Sequence, residues 1–201
     1  MTDRRSHEKV ASVLLFHKEI LVSKELKPII ALVGPSGSGK SALIIEMVRR
    51  MPEMLAVIKT ISTRPRRSDE DDIFYRLVTG PRYAAVTAFG ALIQGVSYNG
   101  ASYGNALQDV LPILQRCVGI TALVEDSILK LRQAGYDVHM IRVIPDGPEY
   151  VGRGPERDAV DRARMMTGPQ ADRAMTNHFY PGGFERSCAV LEIQVRSLLS
   201  E

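Results

Sequence analysis

Directly after the apolar stretch Ile29-Ile30-Ala31-Leu32-Val33 comes Gly34-Pro35-Ser36-Gly37-Ser38-Gly39-Lys40-Ser41, a run whose residue types suit it to hold a chain of phosphates. The small residues Gly34, Ser36, Gly37, Ser38 and Gly39 let successive backbone N–H groups turn inward as an anion nest. The nest sits at the positive end of the helix that follows. Lys40 adds a mobile charge for the β- and γ-phosphates, and Ser41 supplies a hydroxyl for a bridging Mg²⁺. A Gly/Ser turn could match this pattern by chance. Against that stands the context, a buried strand before and an amphipathic helix from Ser41 to Met51 after, with Leu43, Ile44 and Met47 on one face.

A second anion-binding element follows at Thr63-Arg64-Pro65-Arg66-Arg67, where Pro65 keeps the chain extended. Each guanidinium can donate two parallel, charge-assisted hydrogen bonds to phosphate oxygens, so the loop could clamp a second phosphate and points to a phosphorylated acceptor. The competing reading is a solvated basic loop neutralised by the acidic run Asp69-Glu70-Asp71-Asp72.

Positioning these loops requires a sheet. Strands are predicted at Ile29 to Val33, Leu55 to Ile58, Gly119 to Val124 and Val138 to Val143, with helices between them such as Ser127 to Ala134, ended by Gly135. Alternating β and α elements give an α/β fold with a three-layer parallel-sheet core. Short β runs at Phe74 to Val78 and Gly95 to Tyr98 flank an apolar segment from Ala84 to Ile93 and read as an inserted acceptor-binding subdomain. A last helix, about Phe184 to Leu199, turns Val190, Leu191, Val195 and Leu198 inward. The expected organisation is an added N-terminal element at 1–27 and one domain at 28–201. Its core is 28–59 and 106–201, with an insert at 60–105 and a lid near 146–170.

The 201 residues, 45% hydrophobic, suit one domain with a sizeable core. A net charge of +3, with arginines clustered locally, fits a compact anionic ligand and no nucleic-acid partner. Cys117 and Cys188 lack metal-ligand or disulfide-framework spacing, and His17, His139 and His178 lack usable partners, which excludes zinc and nucleophile-triad chemistry from the reading. With no membrane-length apolar run and no signal-peptide pattern, the expectation is a cytoplasmic protein, monomer or homodimer, without a membrane partner.

Ser62-Thr63-Arg64-Pro65-Arg66-Arg67, then Glu70, Phe74-Tyr75 and Asn99-Gly100-Ala101-Ser102-Tyr103-Gly104, in this order and spacing after the phosphate loop, resemble the guanylate kinase family of P-loop nucleoside monophosphate kinases. The resemblance runs from about Pro28 to Asn177 and is most specific at the phosphate loop. It implies that Arg64, Arg67, Tyr75 and Tyr103 grip the acceptor's phosphate and that Glu70 belongs to the same loop. It places Thr60 and Glu125 near the base, and Asn177 near the adenine of ATP; Glu125, closing an apolar strand, has a second reading as the acid that holds a Mg²⁺ water beside the phosphate loop. It also makes Gly152-Arg153-Gly154, Arg157, Arg162 and Arg164 an arginine-bearing lid, in which Arg153 with Arg162 would stabilise the transferring phosphoryl group.

Where the family has a guanine-reading glutamate and a serine, this chain has Gln94 and Asn105. A carboxylate accepts from guanine N1–H and N2–H₂ together, whereas glutamine offers one acceptor oxygen and a competing amine. An unpaired buried donor costs about 1–3 kcal/mol, so guanine preference is expected to weaken or to move to Glu125 and Thr60. Several residues keep plainer readings: Tyr75 as a sheet tyrosine, Asp126 as a helix cap, Asn177 as a turn residue, and Arg162 or Arg164 as surface charges.

The expected activity is transfer of phosphate from Mg²⁺·ATP to GMP or dGMP, with small-molecule nucleotides as partners. A kinase for another phosphorylated small molecule, of the ribose 1,5-bisphosphate type, and a non-catalytic guanylate-kinase-like binding module are the alternatives. The intact Lys40 and Ser41 argue against the module.

Overall fold

The computed structural model describes residues 26–147, 150, 154, 159–160, 163 and 169–200. The N-terminal element and the lid arginines Arg153, Arg157, Arg162 and Arg164 lie outside them.

Strand β1 (Ile29–Val33) is buried along its whole length because it is covered on both faces. Its side chains alternate: Ile30 and Leu32 join one apolar cluster, while Ile29, Ala31 and Val33 join another on the opposite face. Four further strands complete this sheet: β2 (Leu55–Val57), β7 (Val118–Ala122), β8 (Val138–Asp146) and β9 (Arg173–His178). The order is β2-β7-β1-β8-β9, and every pairing is parallel.

Helix α1 (Lys40–Arg50) and helix α6 (Gly183–Leu198) cover the Ile30 face, through Leu43, Ile44 and Met47 from the first and Cys188, Leu191 and Val195 from the second. Helix α4 (Leu107–Leu114) and helix α5 (Glu125–Gln133) cover the other face through Val110, Leu114, Ile128 and Leu131. The result is the three-layer parallel α/β core anticipated from the alternation of elements.

A second sheet is built from residues between Thr60 and Ala106. It comprises β3 (Thr60–Ser62), β4 (Tyr75–Leu77), β5 (Leu92–Tyr98) and β6 (Ala101–Ala106), in the order β4-β3-β6-β5. β5 and β6 form an antiparallel hairpin whose turn is Asn99-Gly100, with φ of 47° and 73°, the residue pair suited to two left-handed positions in succession. Lys130 Nζ on α5 donates to Gly95 O at 2.6 Å and ties this sheet to the core.

Local chemistry moved several boundaries. The apolar segment after β4 is helix α3 (Gly80–Ala88), started by Thr79, whose hydroxyl accepts from Arg82 N–H, with Pro81 in the first turn. Phe74 is no strand residue; it ends the short helix α2 (Asp71–Phe74) and is buried. Asp126 does not cap α5, because Val124 holds the cap position and both Glu125 and Asp126 fall within the first turn, where negative charge meets the positive helix end. Val190 does not face the core: it is 38% exposed, while Ser187, Cys188, Leu191, Val195 and Leu198 carry the buried stripe of α6. One helical step is 100°, so a residue adjacent to Leu191 is turned well away from it. Among the described residues no helix is long and apolar enough to cross a membrane.

This difference is measurable. Leu191→Ala should destabilise by about 2–5 kcal/mol in chemical denaturation. Val190→Ala should stay within about 0.5 kcal/mol of the parent, and a comparable loss at both positions would contradict the orientation of α6.

Candidate functional site

The phosphate loop joins β1 to α1 in a strand-turn-helix with left-handed backbone at Gly37 and Gly39, φ 82° and 79°. At Gly34 a side chain would collide with the Val143 carbonyl of β8, and at Gly39 with the Asn177 amide. Glycine is therefore required at both places by close approach as well as by conformation. Lys40 Nζ folds over the loop and donates to Gly34 O (2.9 Å), Pro35 O (2.7 Å) and Ser38 Oγ (3.1 Å). Ser41, in the first turn of α1, is exposed to the cleft.

Asn177 is the penultimate residue of β9 and not a turn residue. Its buried side chain donates through Nδ2 to Ser38 O at 2.9 Å, so it braces the loop from behind.

Across the cleft, the arginine loop divides its residues between two environments. Arg66 behaves as a solvated charge, pairing with Asp69 at 3.1 Å and Asp72 at 2.8 Å. Arg64 is buried, and Asp71 receives it with both carboxylate oxygens. Asp71 Oδ2 also accepts from the backbone N–H of Arg67 at 2.6 Å and of Ser68 at 3.4 Å. Arg64 Nη1 donates in addition to Pro65 O at 2.8 Å, and its guanidinium lies 4.2 Å from the centre of the Tyr75 ring. Tyr75 meets Tyr103 edge-on at 6.4 Å, and Tyr83 of α3 donates to the Tyr103 carbonyl at 2.8 Å.

Burial raises the Tyr75 phenol above its ordinary pKa, keeping it a neutral donor. The hydrogen bonds from Arg64 hold the Asp71 carboxyl down at about 2. Sequence reasoning missed Asp71: it singled out Glu70 from the acidic run and otherwise gave the run only the competing reading of neutralising a solvated basic loop. The signal available was its position at the start of a helical turn, four residues after Arg67, with apolar Ile73-Phe74 behind it. Glu70, the acid singled out instead, is exposed and precedes α2 at the rim.

Deeper in the same cleft, Gln94 of β5 and Asn105 of β6 face each other across the hairpin, and Gln94 Nε2 donates to Asn105 Oδ1 at 2.6 Å. Both are buried, as are Thr60 at the start of β3 and Glu125 in the first turn of α5.

One cleft of about 660 Å³ joins these parts. The phosphate loop (Gly34, Ser36, Gly37, Gly39, Lys40, Ser41) lines one end. Thr60, Arg64, Arg67, Glu70, Tyr75, Gln94, Tyr103 and Glu125 line the rest, together with Asp71, Phe74, Val96 and Tyr98. Ser38, Asn105 and Asn177 stand behind the surface as supports. Such a space can hold two phosphate-bearing molecules end to end, with cationic groups at both phosphates and polar groups, Glu125 among them, between and beside them.

The Arg64–Asp71 pair has a pH signature. Asp71 titrates at about 2 in the fold against an ordinary 3.8, so its contribution is complete above pH 3.8 and disappears as pH falls through about 2. Glu46, held to about 2 by Arg49 and Arg50 on α1, loses its pairs in the same range. Asp71→Asn should therefore lower the Tm near neutrality and make the acid limb of a Tm-against-pH curve shallower without flattening it. An unchanged acid limb would mean that Asp71 is not held down by Arg64.

No protein-family model matches the chain. Among curated proteins it is similar to the guanylate kinase of Frankia casuarinae, 28% identical over 155 residues that cover 70% of this chain and 83% of the relative. It is also 28% identical to the guanylate kinase of Thermobifida fusca over 149 residues, 70% of this chain and 75% of the relative. The crystal structure of guanylate kinase from Anaplasma phagocytophilum superposes with a TM-score of 0.65 at 16% identity, covering 87% of each chain, and shares the fold. The phosphate loop, the parallel sheet and the similarity along most of the chain agree: this is a P-loop phosphotransferase, similar over most of its length to guanylate kinases.

Proposed function

We propose that the protein transfers the γ-phosphoryl group of ATP to the phosphate of GMP or dGMP. The observation that carries this reading is the single cleft, which has a phosphate loop at one end and a buried, braced arginine with two tyrosines at the other.

In this reading the loop amides and Lys40 hold the donor's β- and γ-phosphates, which replace the loop carbonyls as partners of the Lys40 ammonium. Arg64 and Arg67, with the Tyr75 and Tyr103 hydroxyls, hold the acceptor's phosphate. Thr60, Gln94, Asn105 and Glu125 surround its base. Asp71 fixes the plane of the Arg64 guanidinium, so the clamp is ordered before the acceptor arrives and less rotamer entropy is lost on binding. Arg153 and Arg162 would close over the reacting phosphoryl group, supplying positive charge at its equatorial oxygens and excluding water. The acceptor oxygen is an ionised phosphate oxygen, so the reaction needs no general base. Rate then comes from holding donor and acceptor in line.

The donor set suits a metal that arrives with the nucleotide. Ser41 offers one hydroxyl oxygen beside the loop, and no group of three or more His, Cys, Asp or Glu capable of holding an ion exists among the described residues. Mg²⁺ accepts this arrangement, since it keeps waters and phosphate oxygens as most of its ligands, and it would screen charge between the β- and γ-phosphates. Ser41 is the side chain assigned to it.

ADP formation with Mg·ATP, measured in parallel on GMP, dGMP, AMP, CMP, UMP and ribose 1,5-bisphosphate, tests the proposal. Turnover should be fastest with GMP or dGMP. Reaction with the sugar phosphate alone, or with nothing, would overturn it. On the same assay Arg64→Ala should raise the KM of the acceptor by at least about tenfold while moving that of ATP by less than about threefold. Equal shifts would remove Arg64 from the acceptor side.

A further inference from the structure

The tyrosines that line the cleft form a row. Tyr103 of β6 stands between Tyr75 of β4 and Tyr98 of β5, with ring centres 6.4 Å apart at 66° on one side and 6.3 Å apart at 60° on the other. All three are half-buried. At the Tyr75 end the row is anchored, since the Arg64 guanidinium lies 4.2 Å from the centre of that ring and Asp71 holds Arg64 in turn.

The hairpin tip sets the other end. Alternation along β5 puts Val96 and Tyr98 on the face that lines the cleft. The Asn99-Gly100 turn fixes a register in which Tyr98 is opposite Ala101 and Val96 is opposite Tyr103. Ala101 carries only a methyl group, so the Tyr98 ring leans across it to its diagonal neighbour Tyr103, a separation that aromatic side chains span between paired strands. Behind the sheet the Tyr83 hydroxyl donates to the Tyr103 carbonyl at 2.8 Å. It has room there because Gly95 and Gly104 lack a Cβ, which would lie 2.7 Å and 3.0 Å from that hydroxyl. The backbone of Tyr103 is therefore held from behind, and rotation of its side chain is restricted by a ring on each side. Edge-on aromatic pairs are favourable only over a limited range of ring directions, so the two neighbours select one direction for the Tyr103 phenol.

On the reading of this cleft as the acceptor site, in which the Tyr103 hydroxyl grips the acceptor's phosphate, we infer that Tyr98 is a positioning residue. Its ring, and not its hydroxyl, holds the Tyr103 phenol in the direction from which it meets that phosphate. The acceptor clamp then extends as one packed row from Asp71 through Arg64, Tyr75 and Tyr103 to the tip of the hairpin.

The test is steady-state kinetics of the full chain with Mg·ATP and GMP. Tyr98→Leu, which keeps an apolar side chain on the strand, should raise the KM of GMP by at least about threefold while kcat and the KM of ATP move by less than about twofold. Equal shifts in the two KM values, or an unmoved GMP KM, overturn the inference and leave the kinase reading standing. Tyr98→Phe keeps the ring and should hold the GMP KM within about twofold of the parent. A loss with Phe as large as that with Leu places the effect in the hydroxyl and overturns the inference. In a Tyr103→Phe background the phenol to be positioned is gone, so adding Tyr98→Leu should raise the GMP KM by less than about 1.5-fold. The same effect in both backgrounds overturns the coupling between the two residues. Absence of wild-type turnover with GMP overturns the kinase reading and the inference with it.

Discussion

Everything in this molecule that bears on chemistry depends on the close approach of the phosphate loop to the ends of β8 and β9. A loop of inward-turned N–H groups is an unfavourable object when no anion fills it, because its dipoles are aligned and its backbone is partly left-handed. It persists because the surrounding structure leaves it no alternative. Gly34 lies against the Val143 carbonyl, Asn177 donates to Ser38 O, and Lys40 neutralises the loop's own carbonyls. The parallel order β7-β1-β8-β9 puts all of these C-terminal strand ends on one edge. That edge is where helix N-termini also gather, so an anion site there follows from connectivity.

The second constraint is the burial of a guanidinium at the far end of the cleft. Arg64 cannot lie beneath solvent without a counter-charge and acceptors for its N–H groups; Asp71 and the Pro65 carbonyl take three of those N–H groups, and the guanidinium lies over the face of Tyr75. Asp71 is itself satisfied by the backbone of Arg67 and Ser68, so the loop and the helix α2 that follows it hold one another. An arginine fixed in this way presents a charge whose direction does not depend on the ligand.

How much of this could be read from the chain depended on whether an interaction was local. The phosphate loop was legible because its function lies in eight consecutive residues, and the strand and helix on either side have unmistakable periods. The parallel core was legible because apolar runs alternated with amphipathic ones. Asp71 was hidden in a run of acids, three of which are exposed and one buried; composition does not distinguish them, and the pairing with Arg64 and with the backbone of Arg67 and Ser68 does. The role of Asn177 depends on a hydrogen bond across 139 positions, and no local pattern encodes it. The error at Val190 had a different origin: four apolar residues in the last helix were assigned to one stripe although two of them are adjacent in sequence.

The distribution of charge within the cleft separates two kinds of recognition. On the proposed reading the partners at both ends are ionic and held by several contacts, so binding energy for phosphate is large and indifferent to what the phosphate is attached to. Between them the polar groups contributed by β5 and β6 are neutral amides that already spend one hydrogen bond on each other. A neutral pair contributes less to affinity than a carboxylate, and it can be exchanged for another without disturbing Arg64, Lys40 or the loop, none of which touches it. On the proposed reading, selectivity for the base is therefore the part of this enzyme that sequence change alters most readily, while the machinery of phosphoryl transfer stays as the fold requires it.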